Sequence, residues 1–213
     1  MHRRREQIAD SCIHVMGVTA SVVAFAALMA VALKQGGLLL VASLMIYGTG
    51  IVTTFGCSAL YNLTAAPARK EVLRRFDHAA IFFMIAGTYT PFTLINVDAA
   101  WELTLFVFIW LIAASGAAVK LLYPRRFERL SIALYLLLGW SVSMTLEPLL
   151  STVSLPVIIL LAVGGLLYSF GVVFHLWDRL PYQNAIWHGF VLAGAACHYA
   201  AILDYVTVPS GRA

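Results

Sequence analysis

Seven uncharged, strongly apolar runs, separated by short charged segments, constrain this chain more than any other feature. They are Ser11 to Leu33, Gln35 to Ala68, His78 to Val97, Leu103 to Val119, Leu130 to Leu146, Pro148 to Trp177 and Leu180 to Leu203. A hydrocarbon core about 30 Å thick takes about 20 helical residues to cross, so each run reads as one transmembrane helix. The fourth and fifth are the shortest; Trp101, Tyr123, Lys120 and Arg129 can sit at the interface and extend them. Barrel strands would alternate in polarity, and nothing here does. Composition agrees, with 62% hydrophobic and 11% charged residues against roughly 45–50% and roughly 25% in soluble domains. A soluble core in 213 residues cannot absorb that much apolar surface.

The expected fold class is therefore an all-α integral membrane protein, a seven transmembrane helix bundle. It forms a single seven-helix domain over 1–213, with spans at roughly 11–33, 38–62, 77–97, 101–122, 129–147, 155–177 and 184–206. Membrane lipids are the implied partners. A soluble enzyme, a nucleic-acid-binding domain and a disordered regulator are excluded. The basic residues sit in short clusters between apolar runs, which is no footprint for nucleic acid.

Orientation follows from those clusters. Twelve of the fourteen Lys and Arg fall in the N-terminus and the even-numbered loops; only Lys34 and Arg212 fall on the other side. The positive-inside rule then places the N-terminus in the cytoplasm and the C-terminus outside, in a multi-pass protein of the cell (inner or plasma) membrane. The basic start, Met1 to Asp10, precedes an apolar run too long for a secretory signal, so it reads as the lead-in to a retained first helix. Leu63 to Phe76 reads as the longest exposed loop. Cys12, Cys57 and Cys197 lie inside apolar runs at no metal-ligand spacing and read as small buried hydrophobes.

Polar side chains inside spans are costly and so are functional candidates. Given the orientation, His14, Ser58, Asn62, Asp77, His78 and His188 all fall toward the cytoplasmic side. Ser58 and Asn62 share one helix face at four-residue spacing, and Asn184, His188 and His198 share another. Plainer roles stand beside these. Asp77 can be the N-cap of the third helix. His14 can be a hydrogen-bonded packing residue, His78 and His175 can be structural at helix ends, and His198 can tie two helices together. Glu147 is expected to face headgroups. Ser58 and Asp77, Asn62, Asn184 and His188 are expected to face one shared cavity, with His14, His78 and His198 as further cavity candidates.

Three stretches resemble a known family. FDHAAIFFMIAGTYTPF, Phe76 to Phe92, is similar to the third-helix signature of the haemolysin III family, which belongs with the progestin and adipoQ receptors. RLPYQNAIWHGFVLAGAACHYAA, Arg179 to Ala201, resembles its seventh-helix signature, and SALYN, Ser58 to Asn62, its second. The resemblance implies a seven-helix receptor-type bundle with a polar cavity on the cytoplasmic side. It also implies zinc, held by one histidine of a second-helix S-x-x-x-H and two of a seventh-helix H-x-x-x-H, beside a serine and a third-helix aspartate. Such a centre can generate hydroxide near neutral pH and suits hydrolysis of a lipid amide.

Carried over residue by residue, Ser58, Asp77 and His188 match, whereas Asn62 and Asn184 stand where the pattern has histidine. A neutral amide oxygen is a poor zinc donor beside imidazole. The expectation is a family-type protein with a degraded zinc site, sensing or adjusting membrane lipid state. A metal-dependent lipid hydrolase and a membrane-permeabilising haemolysin are the alternatives. The seventh span contains no lysine for a retinal Schiff base, and none carries a charged stripe for a water-filled pore.

Overall fold

In the computed structural model, residues 2–95, 100–123, 125–141 and 153–208 are described. Among them are seven helices and no strand: α1 (His2–Gln35), α2 (Leu38–Leu63), α3 (Pro67–Leu94), α4 (Ala100–Leu122), α5 (Glu128–Trp140), α6 (Leu155–His175) and α7 (Gln183–Thr207). Five are long and apolar enough to cross a membrane: Arg4–Gln35, Leu38–Leu63, Trp101–Leu122, Leu155–His175 and Gln183–Thr207. The fifth run, 129–147, extends past Trp140 into residues outside the described ones, and so does Glu147.

Large apolar side chains stand exposed along these helices, among them Leu38 at 84%, Leu111 at 64% and Leu137 at 69%. Apolar exposure on this scale needs lipid to solvate it. This is a membrane protein.

Two helices begin earlier than the hydrophobic pattern predicts. α1 starts at His2 and carries the basic lead-in as helix. α3 starts at Pro67, so most of the expected Leu63–Phe76 loop is helical. Proline at the first helical position is preorganised for it, and the following Ala, Arg, Lys, Glu and Leu are good helix formers. Asp77 is therefore not the N-cap of α3. That position is Ala66, and Asp77 lies well inside the helix. Between α1 and α2 the chain turns on Gly36 and Gly37 at φ 77° and 95°, a region side chains rarely adopt.

The chain divides into two compact units, Gly17–Leu138, and Met1–Met16 with Gly139–Ala213. In the first, α3 is the hub. Thr54 of α2 donates to the Ala80 carbonyl at 3.1 Å, and Trp110 of α4 donates to Thr90 Oγ1 at 3.2 Å. Tyr135 of α5 reaches the His78 carbonyl at 2.8 Å, and Tyr89 reaches the Leu138 carbonyl at 2.9 Å. Polar ties between helices have no competing water in hydrocarbon, and small residues let the backbones approach. Gly116 faces the Phe82 ring closely enough that a Cβ would lie 2.4 Å from it.

At one end of this unit two ion pairs join the start of α3 to the α4–α5 loop and the first residue of α5. Arg125 donates to Glu71 at 2.9 Å and Arg74 to Glu128. The Arg125 hydrogen bond holds the Glu71 carboxyl below its usual range. Burial pushes Glu128 up, but the bond and charge of Arg74 outweigh it, and the net shift is downward. A carboxyl depressed in the folded state contributes stability above its unfolded pKa and loses it as pH falls through the folded value. Thermal stability in detergent is therefore expected to drop as pH falls below about 4.5, the ordinary glutamate value. Glu71→Gln with Glu128→Gln should flatten that drop; an unchanged profile in the double variant would count against it.

In the second unit α6 and α7 pack on small residues. A Cβ on Gly164 would lie 2.4 Å from His198 Cδ2 and 3.1 Å from the Gly194 carbonyl oxygen. His198 bonds the Leu161 carbonyl at 3.2 Å and packs against Tyr168, a tie between α6 and α7. Cys12 is exposed and Cys57 and Cys197 are half-buried, so the reading of three buried cysteines does not hold. Cys12 shares its part of α1 with exposed Val15 and Met16, a surface that hydrocarbon can cover.

Candidate functional site

The candidate residues fall in both units. Gly17–Leu138 holds Ser58, Asn62, Asp77 and His78. On α2 the Asn62 amide donates to the Ser58 carbonyl at 2.9 Å and lies 3.5 Å from the Ser58 hydroxyl. The four-residue spacing makes this contact along a single helix face. Half-buried Asp77 lies within electrostatic reach of Cys57 and Tyr61 near the end of α2 and of Tyr135 on α5. His78 gives its carbonyl to Tyr135. Nearby, a cavity of about 540 Å³ is lined by Tyr61, Pro67, Lys70, Glu71, Arg74, Arg125 and Glu128. Its walls are mostly charged: Glu128 and Glu71 pair with Arg74 and Arg125, and Lys70 lies over the Tyr61 ring.

The other unit holds Asn184, His188, His198 and His14. Asn184 is exposed near the start of α7. His188, one turn further on, bonds the Asp10 carboxylate through Nδ1 at 2.7 Å. His14 is buried beside both: its Nε2 lies 3.6 Å from the other Asp10 oxygen, and its ring centroid lies 4.3 Å from that of His188. His175 packs on Trp187 and accepts the Gln183 amide through its carbonyl at 2.7 Å.

Asp10 and Glu6 escaped the sequence reading. Both lie in the basic lead-in Met1 to Asp10, before the first uncharged run. Because α1 begins at His2, Glu6, Asp10 and His14 instead form one stripe at four-residue spacing. Glu6 accepts the Tyr182 backbone N–H at 3.3 Å, where Tyr182 caps α7 in a left-handed conformation. Asp10 and His14 continue that stripe to His188. The E-x-x-x-D-x-x-x-H spacing was present in the sequence as the signal for it.

Comparison with known proteins settles the family. The family model described as "Haemolysin-III related" matches residues 2–199. The chain belongs to the haemolysin-III-related family. It is 36% identical over 206 residues to "Hemolysin-3 homolog" of Bacillus subtilis (strain 168), covering 96% of this chain and 97% of that one. It is 36% identical over 202 residues to "Hemolysin-3" of Bacillus cereus, covering 95% and 92%. The human "Monocyte to macrophage differentiation factor" is 33% identical over 169 residues, covering 76% and 69%. The resemblance of the second and seventh spans implies histidine at positions 62 and 184, and this chain has Asn62 and Asn184 there. Asn62 uses its amide on its own helix, and Asn184 points no imidazole anywhere. A carboxamide at each of these positions is a poor zinc donor beside imidazole.

Proposed function

We propose that this haemolysin-III-related protein senses or adjusts membrane lipid state through polar groups at the cytoplasmic ends of its helices. It would do so as a seven-span protein of the cell membrane, N-terminus inside, with the family's zinc positions on α2 and α7 degraded. The observation that carries this is the Asn62 amide bonded to the Ser58 carbonyl. With that position turned to its own helix, the chemistry of a three-histidine zinc hydroxide has no counterpart there. Ser58 and Asp77 remain as polar groups at the membrane boundary, able to bond headgroup or amide oxygens.

The test is expression in cells followed by lipid mass spectrometry and membrane-order measurement. Wild type should shift lipid composition or order, and Asp77→Asn with Ser58→Ala should abolish the shift. The permeabilising alternative draws on the name "Hemolysin-3" borne by the Bacillus cereus relative. Dye release from liposomes by purified wild type would replace the proposal with that reading. Release of fatty acid from a lipid amide by purified protein would replace it with the hydrolase reading.

A further inference from the structure

The triad of α1 and α7 has its own chemistry, apart from the family's α2 position. We propose that Asp10, His14 and His188 form a binding site for a divalent transition metal, zinc by preference. The three side chains each present one donor atom, and these atoms all lie within 4.8 Å of one another. Two imidazoles and a carboxylate make a three-ligand set of the kind that leaves one tetrahedral position open.

The distances are close to what the ion needs. Zinc bound at about 2.0–2.1 Å separates tetrahedral donors by about 3.3 Å. His14 Nε2 and Asp10 Oδ2 are 3.6 Å apart, and His188 Nδ1 and Asp10 Oδ1 are 2.7 Å apart. The two contacts use the two oxygens of Asp10, so one carboxylate faces both imidazoles at once.

A second observation points to a ligand. His14 is 2% exposed, and its Nε2 is buried without a hydrogen bond. That buried nitrogen faces the Asp10 carboxylate at 3.6 Å, beyond hydrogen-bond reach, and leaves room for a ligand to complete its contacts. An ion between them satisfies His14 Nε2, Asp10 and His188 together. The scaffold is also set for it. Glu6 bonds the first turn of α7 through Tyr182, which fixes α1 against α7 one turn before Asp10 meets His188. Outer contacts of this kind orient the ligands. The fourth position would be open to water or to an oxygen of a lipid headgroup.

The experiment is metal analysis of the full chain purified in detergent, loaded with Zn2+ and dialysed against a mild chelator. Wild type is expected to keep about one zinc per chain. Asp10→Asn, His14→Gln and His188→Ala should each lower it at least tenfold, since even the groups that merely orient metal ligands cost about 10–100-fold in affinity when changed. Asp10→Asn keeps the shape and hydrogen-bonding capacity of the side chain, so the fold is preserved while the anionic ligand is lost. Added zinc should raise the wild-type melting temperature and leave that of Asp10→Asn unmoved. Cobalt loading should give the intense visible bands of a tetrahedral ion in wild type alone. Wild type retaining no zinc after loading would overturn the site. Retention in Asp10→Asn and His14→Gln with loss in Asn62→Ala would also overturn it, returning the metal to the family's positions.

Discussion

A reporter inserted between Arg125 and Arg126 is expected to be active only if it works in the cytoplasm. One fused after Ala213 should be active only if it works outside. The contrast is near all-or-none, because a segment is on one side of the bilayer or the other. The first position is the decisive one. Were α3 to stay on the cytoplasmic face, the five long apolar helices alone would cross, and the C-terminus would still emerge outside. The α4–α5 loop, however, would move outside with Lys120, Arg125, Arg126 and Arg129. The charge asymmetry would then shrink from twelve against two to eight against six. The positive-inside rule disfavours that arrangement. The ion pairs weigh the same way, since Glu71–Arg125 and Arg74–Glu128 join the start of α3 to the loop after α4 and the first residue of α5. Two segments paired at 2.9 Å lie on one side of a membrane. If α4 crosses between them, α3 must cross as well. Cytoplasmic silence of the Arg125 insertion would sink the seven-span count.

The helices were legible in the sequence because hydrocarbon imposes a length that charge-free runs reveal directly. Their beginnings were not, because a helix outlasts the apolar part of its own sequence. Charged residues mark where hydrocarbon ends, and α1 and α3 continue as helix beyond that point to His2 and Pro67. The misreading had a chemical consequence. Starting the first span at Ser11 left Asp10 off the α1 face that carries His14. Starting the third helix at Asp77 gave that residue a capping role that Ala66 occupies instead. Ser58 and Asn62 were paired correctly from spacing alone, since four residues on a helix is a contact. What spacing could not give is which groups from different helices meet. The contact of His188 with Asp10 spans 178 positions of sequence, and no periodicity reports it.

Gly164→Ala is expected to destabilise the protein by about 1–3 kcal/mol, the usual cost of forcing extra volume into a packed contact. The new methyl would meet His198 Cδ2 at 2.4 Å and Nε2 at 2.5 Å, with the Gly194 carbonyl oxygen at 3.1 Å behind it. His198 cannot simply swing away. Its Nε2 is bonded to the Leu161 carbonyl and its ring packs on Tyr168. Moving it gives up that hydrogen bond in a setting without water to replace it, while keeping it pushes α6 from α7. The comparison variant is Gly56→Ala in α2, where nothing lies within 4 Å of the added atom. In a helix interior alanine exceeds glycine in propensity by about 1 kcal/mol, so that variant should be neutral or slightly stabilised. Thermal unfolding of both in the same detergent reads the sign directly. Gly164→Ala melting at or above wild type would mean that α6 and α7 do not pack through this glycine. His198→Ala added to Gly164→Ala supplies the internal check: removing the ring makes room for the methyl, so the double variant should lose less than the two single costs combined.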